Sequence, residues 1–117
     1  MENQVGSPPA GQAELSYGLK RCRYGMMLYN LNDIYVGQSY HQYGEYNEPE
    51  LAALRQLCAP GDHVFDIGAN IGAHTVPLAQ HVGPSGVVYA IEPQRIVYQM
   101  MCANVALSAL TNVYTFW

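Results

Sequence analysis

The stretch Asp66-Ile67-Gly68-Ala69-Asn70-Ile71-Gly72 places an acid, two glycines and an asparagine in the order that a ligand-binding turn needs. Gly68 and Gly72 lack the Cβ atoms that would hold a ligand away from the main chain, and Asn70 tolerates the left-handed backbone such turns use. About two dozen positions beyond Gly68 stands Glu92, an acid able to accept two hydrogen bonds from a ribose diol. The pair outlines a nucleoside-sized cleft. A dinucleotide site normally reads GxGxxG to admit a pyrophosphate; Gly68-x-Asn70-x-Gly72 departs from that pattern, so NAD is disfavoured. S-adenosylmethionine suits the residues better. Glu92 would hold its ribose, Asp66 would balance its ammonium, and amides of the 68–72 loop would meet its carboxylate.

These residues need a strand, a turn and a helix on either side, and the punctuation supplies them. Asn47, Pro49 and Glu50 read as a capping-box-like start for a helix over about 48–58, with Leu51, Leu54, Leu57 and Cys58 on one face. Ala59-Pro60-Gly61-Asp62 stops it, and His63-Val64-Phe65-Asp66-Ile67 is a run of strand length. A helix with Thr75 as N-cap puts Pro77 harmlessly in its first turn and ends at Gly83-Pro84-Ser85-Gly86. Val87 to Ile91 is a second, buried-type strand closed by Glu92-Pro93. A helix over about 94–108 leads to a third strand, Val113 to Trp117. Alternating helices and strands imply parallel pairing, hence a doubly wound, mostly parallel α/β sheet of Rossmann-like type. Three strands form half of such a sheet, so a fragment truncated after the third strand is expected.

Upstream, residues 1–16 hold two glycines and two prolines without apolar period, the composition of a flexible tail. Residues 17–46 read as a small strand-and-turn lid segment, within which 34–43 is open between a short helix and an aromatic loop. Residues 47–117 then make the first half of the cofactor-binding domain.

The motifs resemble one known family, the FkbM-type S-adenosylmethionine-dependent methyltransferases. The likeness rests on Pro60-Gly61-Asp62, Asp66 to Gly72, His74-Thr75, Gly83-Pro84-x-Gly86, Ile91-Glu92-Pro93-Gln94, Asn104-Val105-Ala106-Leu107 and Asn112-Val113, with Gly44-Glu45-Tyr46 as lead-in. It covers about residues 34–117. The resemblance implies a class I methyltransferase fold, S-adenosylmethionine as donor, and methylation of a hydroxyl oxygen on a sugar or secondary metabolite. It also places cofactor roles on Asp66, Gly68, Asn70, Gly72 and Glu92. On that resemblance, further segments that frame the adenine and the acceptor pocket are expected after Asn112-Val113.

Composition bounds the rest. The 117 residues carry five Lys plus Arg against nine Asp plus Glu, a formal charge of −4, which argues against a duplex nucleic-acid partner. A small-molecule acceptor and no nucleic acid are therefore expected. No run reaches the roughly 18 apolar residues of a membrane span, and the first residues lack a basic start and apolar stretch, so a cytoplasmic protein is expected. Cys22, Cys58 and Cys102 suggest neither a disulfide framework nor a metal pair, and His41, His63 and His81 show no metal-triad spacing. His74 reads either as a general base facing the cleft or as a capping histidine. Tyr35, Tyr40, Tyr43 and Tyr46 either line a pocket or pack the lid, and Glu45 with Tyr46 can close over the methionine end. Methyl transfer depends mainly on collinear positioning, so no catalytic residue is assigned. The alternatives are a noncatalytic nucleotide-binding or interaction module and an NAD-dependent oxidoreductase.

Overall fold

In the computed structural model, which describes residues 16–117, the tyrosine- and glycine-rich start of the chain folds as β1 (Tyr17–Cys22) and β2 (Gly25–Asn30). They form an antiparallel hairpin with Cys22 opposite Gly25 across the Arg23-Tyr24 turn. The expected tail over 1–16 lies almost entirely outside the described residues. The segment left open over 34–43 contains a helix, α1 (Val36–Tyr43). Two local devices decide it. Asp33 Oδ1 accepts the amides of Tyr35 and Val36 at 2.9 and 3.2 Å, and Gly44, left-handed at φ 69°, returns its amide to Tyr40 O. Gly37 lets α1 press onto the end of β2, because a Cβ there would stand 1.8 Å from Asn30 O.

α2 (Glu48–Leu57) carries Glu48 and Glu50 in its first turn, where the helix dipole favours acids. The capping box is not formed as expected: Asn47 is left-handed and its side chain meets the Glu50 carboxylate instead of a backbone amide. Of the expected apolar face, Leu51 is fully buried, whereas Leu57 points to solvent at 81% exposure. The hairpin turn is tied to α2 by Tyr24, whose hydroxyl donates to Glu48 Oε2 at 2.7 Å and accepts from Arg55 at 3.1 Å.

β3 (His63–Ile67), α3 (Thr75–Val82), β4 (Val87–Ile91), α4 (Arg95–Leu107) and β5 (Val113–Phe116) complete the chain. The three strands are parallel in the order β3-β4-β5, with Asp66 opposite Ala90 and Ile67 opposite Ile91. Val88 and Ala90 share one face of β4 and are wholly buried. Val88 packs with Leu78, Ala79 and Val82 of α3, and Ala90 with Met101 of α4. Tyr29, Tyr40, Met27 and Val76 form the core beneath the hairpin. Burial there pushes the Tyr40 hydroxyl far above the usual tyrosine range, so it stays neutral.

The opposite sheet face is open. Phe65, Ile67, Tyr114 and Phe116 are half or more exposed, and the Phe65, Tyr89 and Tyr114 rings stack across the three strands at 4.9 and 5.8 Å. Among the described residues no strand pairs with the outer edge of β3. An apolar ladder beside a bare edge is a template for association. Sedimentation velocity is therefore expected to show concentration-dependent self-association at micromolar chain, relieved by Phe65→Lys together with Tyr114→Lys. A wild-type chain that stays monomeric throughout the micromolar range would contradict this.

Candidate functional site

The turn between β3 and α3 is held by three hydrogen bonds to the end of β4 and two within itself. Gly68 and Ala69 both donate their amides to Ile91 O, at 2.8 and 2.9 Å, so the turn starts by crossing onto the end of β4. Asn70 is left-handed at φ 54° and donates its amide to Glu92 Oε1 at 2.9 Å, while its own Oδ1 accepts from Ile71 N at 2.8 Å. Gly72 closes the turn onto Ala69 O. All five amides of residues 68–72 are thus committed internally. A ligand carboxylate meeting this loop, as expected from the sequence, would have to share or displace bonds made at 2.8–2.9 Å.

Glu92 occupies the end of β4, only 5% exposed. Its second oxygen accepts from Gln94 N at 2.8 Å. Each carboxylate oxygen keeps a further lone pair, so the side chain that shapes the turn can also accept from a diol. On β3, Asp66 Oδ2 accepts from the Thr75 hydroxyl at 2.6 Å. Sequence reasoning made Thr75 an N-cap; instead the helix starts at Thr75, His74 takes the cap position without a side-chain cap bond, and Thr75 fixes the acid across the turn. A Cβ-type pattern could not reveal this, since it depends on β3 and α3 meeting.

A cavity of about 560 Å³ opens over this turn. Asp66, Gly68 and Asn70 line it; Gly72 and Glu92 are not among its lining residues, and Glu92 adjoins it through its bond to the Asn70 amide. Gly68, at φ 77°, has nothing within 4 Å of where a Cβ would stand, so the backbone faces open space. Across from it are Tyr46, Glu50 and His74. The His74 ring lies 6.1 Å from that of Tyr46, and its Nε2 is buried without a hydrogen-bond partner. Tyr35 and Tyr43 point to solvent and Tyr40 is core, so of the four tyrosines only Tyr46 reaches the cavity. Among the described residues no three His, Cys, Asp or Glu side chains gather as a metal site, and no helix is long and apolar enough to cross a membrane.

A glycine turn between a parallel strand and a helix, with an acid at the end of each of two adjacent strands, belongs to a Rossmann-like α/β fold, and the chain matches the form of that fold found in class I methyltransferases. No family model matches the chain, so the FkbM-type likeness rests on its motifs alone. Over 50 residues, 43% of the chain, it is 44% identical to the tRNA(Phe) (4-demethylwyosine(37)-C(7)) aminocarboxypropyltransferase of Methanocaldococcus jannaschii, covering 20% of that protein. Over 113 residues, 92% of the chain, it is 27% identical to the 23S rRNA (uracil(1939)-C(5))-methyltransferase RlmD of Acinetobacter baylyi, covering 24% of it. Among solved structures, M. jannaschii TYW2 in complex with AdoMet superposes with a TM-score of 0.68 at 24% identity, over 90% of this chain and 44% of that one. The chain thus spans between a fifth and a quarter of the length of these curated relatives.

These relatives overturn the expected partners. Their names state action on tRNA and rRNA, against a small-molecule hydroxyl acceptor and no nucleic acid. The physical reason lies in the charge argument. A net charge of −4 describes a chain that matches a quarter or less of each relative, and it says nothing of the charge of the remainder.

Proposed function

We propose that this chain is the cofactor-binding part of an S-adenosylmethionine-dependent transferase that modifies RNA, with a methyl group as the group moved. The observation that carries the reading is the open space over Gly68, bounded by Asp66 on β3, with Glu92 holding the amide of Asn70 beside it. Asp66, held by Thr75 at one oxygen, offers the other to the ligand's ammonium. Glu92 keeps Asn70 in its left-handed turn and offers its remaining lone pairs to the ribose. Gly68 and Gly72 allow the close approach. When bound, the sulfonium supplies an electrophilic carbon; the chain's part is to orient it and exclude water.

A second reading comes from the local 44% identity to a protein named an aminocarboxypropyltransferase: the same donor could instead give up its amino-acid chain. The two differ in the nucleoside left behind: S-adenosylhomocysteine after methyl transfer, 5′-methylthioadenosine after the other. Isothermal titration is expected to show binding of S-adenosylhomocysteine and none of NAD. Heat with NAD alone favours the oxidoreductase alternative, and heat with neither favours a noncatalytic module. Chromatography of the nucleoside product from a turnover mixture with tRNA or rRNA then assigns the group transferred.

A further inference from the structure

Charge is unevenly shared along the chain. Residues 17–43, which form the hairpin and α1, carry three Lys plus Arg and a single acid, whereas residues 44–117 carry two and six. The net charge of −4 therefore conceals one basic end. The single acid there is occupied, because Asp33 Oδ1 accepts the amides of Tyr35 and Val36 at the start of α1. Arg23 is paired with Glu45 at 3.1 Å and Glu48 at 3.6 Å, which leaves Lys20 and Arg21 to set the charge of the surface. Lys20 donates from Nζ to His41 O, so it is tied to the last turn of α1 and keeps two of its three N–H groups for another acceptor. Arg21 is exposed and makes no ion pair with a described residue. Among the described residues β1 pairs only with β2, and successive side chains of a strand alternate, so the two cations flank the outer edge of β1 from opposite sides.

Beside them α1 turns aromatic rings outward. Val36 and Tyr40 seat its inner face in the core, while Tyr35 at its cap and Tyr43 at its last position are 74% and 72% exposed. Its sequence, VGQSYHQY, contains no acid. Cations next to exposed rings suit an unpaired nucleic-acid strand, whose phosphates take the charges and whose bases stack on the rings. A duplex hides its bases, and two cations are too few to hold it by charge alone. The surface also borders the cavity, since Val36 and Tyr46, the latter three residues beyond Tyr43, both line it.

Resting on the RNA reading above, we propose that the outer surface of α1 and the edge of β1 hold an unpaired RNA segment, with Lys20 and Arg21 on phosphates and Tyr35 and Tyr43 each under a base. The two rings start about 12 Å apart along the helix axis, so each serves a different nucleotide.

The test is fluorescence anisotropy of a labelled oligouridylate dodecamer titrated with the full chain over a range of potassium chloride concentrations. Lys20→Gln combined with Arg21→Gln is expected to flatten the slope of log affinity against log salt by about 1.4, the loss of two single-strand phosphate contacts. Tyr35→Ala combined with Tyr43→Ala is expected to weaken binding about twentyfold or more with the slope unchanged, and the double phenylalanine variant, which keeps the rings, to bind as wild type does. Arg95→Gln, which removes an exposed cation on α4, should leave the slope as it is. Thermal melts check that each variant is folded. An unchanged slope for the Lys20 and Arg21 variant, an equal loss from Arg95→Gln, tyrosine variants that bind like wild type, or an RNA duplex bound as tightly as the single strand overturns this surface; RNA binding by the wild-type chain then leaves the RNA reading standing. If the wild-type chain binds no oligouridylate, this surface is overturned as well, and the nucleoside product formed with tRNA or rRNA alone decides the RNA reading.

Discussion

Replacing Asn104 by leucine is expected to lower the unfolding free energy by about 3–5 kcal/mol, measured by urea denaturation followed by far-ultraviolet circular dichroism. Asn104 sits on α4, fully buried, and makes three hydrogen bonds to main chain that no neighbour can replace. Its Oδ1 accepts from Leu28 N at 2.7 Å, and its Nδ2 donates to Leu28 O at 3.0 Å and to Ile71 O at 2.8 Å. Leucine has nearly the same volume but leaves one amide and two carbonyls unpaired in a dry interior, at about 1–3 kcal/mol each before relaxation. Because one of the three is a carbonyl of the glycine turn, the loss links β2 to the cavity: the hairpin and the loop should melt together. Asn104→Asp keeps only the acceptor and buries a charge, so it should be no better. A cost below about 1 kcal/mol for the leucine variant would show that water or main-chain rearrangement satisfies these groups.

The parts of the fold that local chemistry dictates could be read from the residues. β3 and β4 begin and end where the β-branched and aromatic runs meet Gly, Pro and acidic punctuation, and α4 differs by one residue at each end from the helix expected. Where distant contacts decide, the reading failed or stayed open. α1 is too short for its period to identify it, and Asp33 and the close seat of Gly37 on Asn30 settle it instead. Leu57 keeps helical phase with Leu51 and Leu54 but has nothing to pack on, because periodicity describes one face and not its partner. At the site, a glycine turn could be recognised from its spacing, yet nothing in that spacing says where its amides go. Ile91 O, Glu92 and Ala69 O take four of the five, and the Asn70 side chain takes the other. Thr75, Glu50 and the cavity-facing placement of Tyr46 and His74 likewise follow from how α2 and α3 meet β3.

On the proposed reading, the same bonding pattern makes Glu92 the position to test at the nucleoside end. Glu92→Ala is expected to weaken S-adenosylhomocysteine and 5′-methylthioadenosine alike, each by about a hundredfold, which corresponds to about 2.7 kcal/mol. Two effects act in the same direction. The direct one is loss of the acceptor for the ribose. The indirect one arises because Glu92 Oε1 holds the Asn70 amide and Oε2 the Gln94 amide, so removal frees the turn from its left-handed geometry and from the start of α4. Glu92→Gln separates them. It keeps one carbonyl oxygen for the Asn70 amide but turns an NH₂ toward the Gln94 N–H, or the reverse, setting donor against donor. The glutamine variant should therefore bind better than alanine and worse than wild type, again without distinguishing the two ligands. If Glu92→Ala binds both nucleosides within threefold of wild type, the ribose is held elsewhere, and the buried acid at the end of β4 serves the turn alone.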